Sequence, residues 1–322
     1  MLSLAVHPQG GAIMFGRRRS CSLVGVDIGT HSIKLVQLQE KKDGWHLERA
    51  FTAVIPPDCI VDGSVINFSA VAECLRGLVQ TGKLEGSKCV ISVAGHSTII
   101  KKITLPSMTL SELQESIGWE AEQYIPFDIK EVYVDVQIVS NRESEGQMDV
   151  LLTAVKKSLV NELTQVATDA GLNVVMTDFA SLAVINACIF NGYTAPGEII
   201  ACVDVGDKLT SIGVLNGNQV AFNRDISTGS GTLTGAIQNL LNVRYEEAEE
   251  LKLRHSRGEE VEDGVVDLGK RVADVIAMEV QRSLDFFTAT SISSDIARVV
   301  VMGGGCDPAS NGASSRNHEA VP

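Results

Sequence analysis

"VGVDIGTHSIKLVQLQ", residues 24–39, and "ACVDVGDKLTSIGVLN", residues 201–216, align with each other without a gap. Each copy runs an apolar stretch into an aspartate, an apolar residue and a glycine, so that Asp27 matches Asp204 and Gly29 matches Gly206. Each then turns back into a second run of near-alternating apolar residues, the pattern of a half-buried strand. Self-similarity at so large a separation is what a duplicated domain leaves, and it predicts two lobes built on one core. The residue choice has a physical reason. A tight hairpin exposes backbone N–H groups at its tip, and glycine brings the backbone close to an anion with no Cβ in the way. Hydroxyls at Thr30, Ser32 and Thr210 are candidate further donors. Asp27 and Asp204 end their strands and are placed to hold magnesium through water, because that ion takes carboxylate oxygens and keeps much of its hydration shell. Two such hairpins facing each other across a cleft would clamp a polyphosphate, whereas one copy alone reads as an ordinary tight hairpin. A third glycine cluster, Gly303 to Gly305, follows the apolar run "ARVVVM". No GxGxxG leads from strand into helix and no GxxxxGK[ST] occurs, so the dinucleotide fingerprint and the P-loop are both missing.

A chain of 322 residues exceeds the roughly 250–300 at which single cores stop growing, which agrees with two lobes. Its 40 carboxylates against 27 Lys and Arg, a net charge of −13, argue against a protein that grips nucleic acid by neutralising phosphates. The seven cysteines, at 21, 59, 74, 89, 188, 202 and 306, form no CxxC pair. They fit reduced cytosolic thiols better than a disulfide framework or zinc site. The longest apolar stretch, "VVMTDFASLAVINACIF" at 174–190, carries Asp178 and reads as a buried helix rather than a membrane span. The N-terminus has no basic region ahead of its apolar start, so it is not a secretory signal. Met14 makes a natural alternative start, residues 1–20 are expected to be a disordered extension, and Arg17 to Arg19 form a basic knob on it.

Residues 21–86 are predicted to open the first lobe, with strands at "SLVGVDI", "IKLVQLQ" and "WHLERAFTAVI" and a helix at 68–82. Residues 87–172 read as β-β-α-β-β-α, the size of a small inserted α+β subdomain, whose first helix at 111–125 starts near Ser111 and Glu112 and stops at Pro126. Residues 173–198 return to the first lobe and connect to the second, at 199–305. There "GTLTGAIQNLLN", "YEEAEELKLRH" and "VDLGKRVADVIAMEVQRSLDFFTAT" are predicted helices. Residues 306–322, "CDPASNGASSRNHEAVP", form a polar tail without periodicity.

The order of these motifs resembles the actin-like ATPase superfamily: two phosphate hairpins, a helix carrying "AEELK", then a strand ending in "GGG". Within it, "MFGRRRSCSLVGVDIGTHSIKLVQL", "VISVAGHSTIIKKITLP", "WEAEQYIPFDIKEVYVDVQIV" and "MEVQRSLDFF" ahead of "VVMGGG" resemble the PilM family of type IV pilus assembly proteins. The resemblance covers about residues 14–305. It implies an actin-like, ribonuclease H-like α/β fold with two lobes of shared ancestry and an inserted subdomain. Carried over residue by residue, it puts the first phosphate loop on Asp27, Gly29, Thr30, His31, Ser32 and Lys34, and the second on Asp204, Gly206, Lys208 and Thr210. Glu249 and Lys252 would contact adenosine, with a solvated helical face as the equal alternative, and Gly303, Gly304 and Gly305 would line the adenine side. ATP and Mg2+ are the implied cofactors, with Asp27 and Asp204 as the magnesium holders; His31 reads as a turn residue.

The same resemblance implies a cytoplasmic scaffold at the inner face of the cytoplasmic membrane. Its groove beside the inserted subdomain would hold the cytoplasmic N-terminus of a PilN-like inner-membrane protein, and homo-oligomerisation stays open. No motif positions a base for an attacking water, so the implied activity is at most a slow ATPase. In relatives a helix and strand follow the glycine turn, so the polar tail predicts a truncated C-terminal lobe. The opening motif also resembles carbohydrate or small-acid kinases and FtsA-like division proteins. Against the kinase stand a short chain and a strand-rich insertion; against the division protein stands a tail without an amphipathic helix.

Overall fold

The computed structural model describes residues 23–306, apart from 43, 62 and 292–294, together with 318–320. The expectations for residues 1–20, for Arg17 to Arg19 and for the rest of the tail lie outside the described residues. The chain divides into two units, Met1–Ala183 and Val184–Pro322.

In the first unit, β1 (Val24–Ile28), β2 (Ser32–Lys41) and β3 (Gly44–Val54) form an antiparallel meander. On β2 the alternation dictates the facing: Ile33 and Leu35 are buried and Lys34 and Val36 are exposed. A short ladder of β4 (Ile60–Val61) and β5 (Ser64–Val65) follows. It leads into α1 (Phe68–Gly82), capped by the Asn67 side chain, which accepts from the Ala70 N–H, and burying Val71, Leu75 and Val79. Next comes β6 (Lys88–Val93), which runs parallel to β1.

Residues of β7 (Thr98–Pro106), α2 (Leu110–Glu122), β8 (Val132–Arg142) and β9 (Gln147–Lys156) build a separate three-stranded sheet, order β7-β9-β8. Leu113 and Ala121 of α2 pack on Met148, Val150, Leu152 and Ala154, one face of the central strand. Then α3 (Lys157–Asp169) leads to β10 (Asn173–Phe179), parallel to β6, and to α4 (Ala180–Phe190), in which the boundary between the units falls.

Three expectations differ from this arrangement. The stretch 174–190 is half strand, because β10 takes the edge of the first sheet and only α4 is helical. The separate sheet begins at β7, since β6 hydrogen-bonds to β1 and belongs to the first sheet; the block of 87–172 is therefore wider than the sheet it was read as. The cap of α2 is Thr109, whose side chain accepts from the Glu112 N–H while the Glu112 carboxylate accepts from the Thr109 N–H.

The second unit repeats the plan. A meander of β11 (Ile199–Val205), β12 (Thr210–Asn216) and β13 (Gln219–Ile226) is followed by α5 (Gly231–Leu241), α6 (Tyr245–Ser256) and α7 (Asp263–Thr290). Then β14 (Ile296–Met302) runs parallel to β11, and β15 (His318–Ala320) parallel to β14. Leu284 and Phe287 of α7 close the core over Ile199, Ala201, Ile212 and Val214, each fully buried side chain contributing about 1.5–3 kcal/mol.

The two sheets have one strand order, β3-β2-β1-β6-β10 and β13-β12-β11-β14-β15. The tail expected to be polar and without periodicity thus supplies, through His318–Ala320, a fifth strand in the position that β10 holds in the first sheet. The match extends to register: Val24 pairs with Gln37, Asp27 with Lys34 and Ile28 with Ile33, while at the aligned positions Ala201 pairs with Val214, Asp204 with Ser211 and Val205 with Thr210.

Candidate functional site

Each unit presents its hairpin at the end of its central strand. In the first, the Gly29 N–H donates to the Ser32 carbonyl at 3.1 Å, and the Ile55 N–H ties the turn down through the His31 carbonyl at 3.0 Å. A Cβ on Gly29 would sit 3.2 Å from the Ser32 oxygen, so glycine here permits a close turn. Asp27 and Lys34 face each other across the strands at 3.0 Å, the carboxylate side chain 42% and the ammonium side chain 50% exposed. A pair this open is worth only about 0–1 kcal/mol, so Lys34 is readily surrendered to a competing anion. The other Asp27 oxygen accepts from the Ser92 hydroxyl at 2.6 Å.

Opposite Ser92 in the strand register stands Asp178, one residue before the end of β10. Burial pushes its carboxyl up to about 6, against the opposing hydrogen bond from the Phe179 N–H. Asp27, Ser92 and Asp178 therefore form a polar row across the carboxyl ends of β1, β6 and β10. From sequence alone Asp178 falls within a stretch expected to be a core helix; the available signal is an acid at the end of an apolar run, the feature that singles out Asp27.

The second hairpin repeats the turn. The Gly206 N–H donates to the Leu209 carbonyl at 2.8 Å, and a Cβ on Gly206 would stand 2.9 Å from that oxygen. Both glycine N–H groups are thus used within their own turns. Lys208 is exposed at the tip. Thr210, read as a further donor, is fully buried and donates to the Thr228 carbonyl at 2.7 Å; its hydroxyl anchors the hairpin base.

A glycine-rich segment that the sequence reading did not single out closes on this turn. The Ser230 N–H donates to the Gly206 carbonyl and the Gly231 N–H to the Asp207 carbonyl, at 2.9 and 2.8 Å. A Cβ on Gly229 would lie 2.5 Å from the Asp207 carbonyl oxygen. The signal was "STGSGT" opening a helix. One turn along α5, the Thr234 hydroxyl donates to Glu249 at 2.7 Å, and the other Glu249 oxygen pairs with Lys252 at 2.8 Å. Glu249 and Lys252 are each 12% exposed, so they form an enclosed pair on α6 rather than a solvated face.

The glycine turn after β14 packs on the same hairpin. The Gly305 N–H donates to the Val205 carbonyl at 2.8 Å, and a Cβ on Gly303 would meet the Asp204 carboxylate. Of the three glycines only Gly304 has open space where a side chain would go. Cys306 follows; burial pushes its thiol up to about 11, with the Asp204 charge adding to the shift against a backbone hydrogen bond from Val205. The structure thus gathers Asp204, Gly206, Gly303 and Gly305 around one turn, joins Glu249 and Lys252 to it through α5, and gathers Asp27, Gly29 and Lys34 around the other.

Whether these groups suit a magnesium nucleotide is a question of donor type and space. The donor set fits: each unit offers a carboxylate at a strand end, a cation near the first and cramped glycine turns beside both. Among the described residues no three His, Cys, Asp or Glu side chains stand together as a metal-ligand cluster.

A core repeated with identical hairpin register and strand order defines an actin-like protein. The family model described as type IV pilus assembly protein PilM matches residues 25–314. The chain belongs to that family. A solved "PilM-PilN type IV pilus biogenesis complex" is 26% identical, covering 94% of this chain and 89% of that chain with a TM-score of 0.79. The ethanolamine utilization protein EutJ of Carboxydothermus hydrogenoformans is 19% identical over 88% of this chain and 76% of its own, TM-score 0.52, a likeness of fold. Cell division protein FtsA of Helicobacter pylori is 26% identical over 100 residues, 31% of this chain; the match spans only 20% of that relative's length. The family match does not favour the kinase or division-protein readings. Among the described residues no helix is long and apolar enough to cross a membrane.

Proposed function

We propose that this chain is an ATP-binding scaffold of type IV pilus assembly that holds the cytoplasmic N-terminus of a PilN-like inner-membrane protein. The observation that carries the nucleotide half is the repetition of one hairpin, with aspartate, glycine and cross-strand register all matched, in both units. Asp27 and Asp204 would hold Mg2+ through water, Lys34 and Lys208 would meet phosphate oxygens, and Glu249 and Lys252 would face the adenosine. Magnesium would supply charge neutralisation between the phosphates. In this role Lys34, now paired with Asp27 at 3.0 Å, would hold a phosphate oxygen, and Asp27 would hold hydrated magnesium. The partner half rests on family membership and on the likeness to the PilM–PilN complex; the separate sheet with α2 is the inserted element beside which the peptide would lie. Through that partner the chain would work at the inner face of the cytoplasmic membrane.

The test is a titration with fluorescent ATP and Mg2+, comparing the natural chain with Asp27→Ala and Asp204→Ala. Weakening by tenfold or more in both variants is expected, and unchanged binding in both refutes the nucleotide reading. Pull-down by an immobilised PilN N-terminal peptide, set against a division-protein peptide, tests the partner.

A further inference from the structure

Cys188 of α4 and Cys202 of β11 hold their sulfurs 3.2 Å apart, the Cys202 thiol donating to Cys188. Both side chains are buried, at 3% and 1% exposure. The surrounding packing fixes them. Ile185, one turn before Cys188, rests on Gly213 of the neighbouring strand so closely that a Cβ there would stand 2.7 Å from its Cδ1. The arrangement belongs to one copy of the duplicated core: in the first unit the matching positions are Gly25 and Val36, both exposed. Cys188 and Cys202 are thus brought together by the path of α4 over the second sheet, and not by the hairpin repeat.

We propose that Cys188 and Cys202 are an oxidisable dithiol, a modification site that peroxide converts to a disulfide stapling α4 to β11, the strand that carries Asp204. A disulfide bond is about 2.05 Å long, so closure asks the sulfurs to approach by about 1.2 Å. The step is balanced with hydrogen peroxide as oxidant. The Cys188 thiolate attacks one peroxide oxygen and the O–O bond breaks, giving a sulfenic acid and hydroxide, which takes up the proton Cys188 released and becomes water. The Cys202 sulfur then attacks the sulfenic sulfur, the S–O bond breaks, and a second water leaves with the Cys202 proton. Two thiols are oxidised and one peroxide is reduced to two waters. The hydrogen bond from Cys202 favours the Cys188 thiolate and so designates the attacking sulfur. Cys202, held protonated by that bond and by burial, is the resolving partner.

The experiment treats the folded full chain with hydrogen peroxide, alkylates remaining thiols after denaturation, and maps the digest by mass spectrometry without reduction. A peptide pair joined through Cys188 and Cys202, two hydrogens lighter than its separate parts and released by dithiothreitol, is expected. The oxidised chain should melt about 5 °C or more higher than the reduced one, because the link closes a short loop of chain. Cys202→Ala should stop the reaction at a dimedone-trappable sulfenic or an over-oxidised Cys188 and abolish the rise in melting temperature. Recovery of both cysteines as free thiols from the peroxide-treated natural chain overturns the proposal, as does pairing of either one with a different cysteine. Because the readout is made on the natural chain, a folding defect in the variant leaves the test intact.

Discussion

Replacing Gly303 by alanine should cripple the second hairpin, while the same change at Gly304 should pass almost unnoticed. Gly303 has φ of +102°, in the half of conformational space that side chains avoid, and its added Cβ would meet the Asp204 carboxylate and stand 2.5 Å from the Val205 carbonyl oxygen. The left-handed conformation alone costs about 1–2 kcal/mol, and forcing a methyl into packed backbone costs about 1–3 kcal/mol more. The Asp204 carboxylate could swing aside, but the Val205 carbonyl oxygen and, at 2.8 Å, its nitrogen are backbone, so relief requires the β11–β12 turn to move. The loss should therefore be about 2–5 kcal/mol, or about 5–15 °C in melting temperature for a unit of this size. At Gly304 no atom lies within 4 Å of the added Cβ, and the change should stay within about 0.5 kcal/mol. Thermal unfolding followed by circular dichroism compares the two, and the fluorescent ATP titration of Gly303→Ala then tests whether moving Asp204 weakens the proposed nucleotide binding. Equal melting of the two variants would refute the account of why this turn is glycine.

Two further predictions concern charge. Asp149 lies on the separate sheet between Lys102, at 3.1 Å, and Arg142, at 2.7 Å, with Thr104 donating at 2.8 Å. Burial works against its charge, but these donors outweigh it and hold the carboxyl at about 2. A depressed folded value means stability present above the ordinary carboxylate range and lost as pH falls from about 4 towards 2; urea midpoints across that window should fall in the natural chain and flatten in Asp149→Asn. Asp178 has the opposite sign, since burial raises it to about 6. Its contribution is full below about 4 and is lost as pH climbs through 6. Asp178→Asn should remove that decline, and a natural chain as stable at pH 7.5 as at pH 5 in this comparison would contradict it.

The sequence carried the hairpins plainly, because a strand with one wet face alternates and an Asp-x-Gly turn punctuates it. It concealed β10, whose "NVVMTDF" runs unbroken into "ASLAVINACIF": a buried parallel strand has no wet face, so nothing in its composition separates it from a core helix. The extent of the separate sheet was hidden for a related reason, since β6 and β7 are both plain strands and only pairing with β1 assigns β6 to the first sheet. Asp27 and Asp204 were legible by repetition. Gly229 to Gly231 and Asp178 were not, because their part in the site depends on contacts far away in the chain. Thr210 shows the converse: its residue type suggested a ligand donor, and burial turned it inward.

The identical register of the two hairpins bears on which changes each loop can absorb. The tips have diverged from "THS" to "DKL" in place of one another, yet Gly29 to Ser32 and Gly206 to Leu209 close the same ring. A one-residue insertion in either loop would slide the returning strand by one place and turn Ile33 and Leu35, or Ile212 and Val214, out of their cores. Substitutions at the tips change the chemistry offered to a ligand and leave the cores intact, whereas insertions and deletions reach the whole sheet. A survey of variants in this chain should therefore find the two loops free in composition and fixed in length.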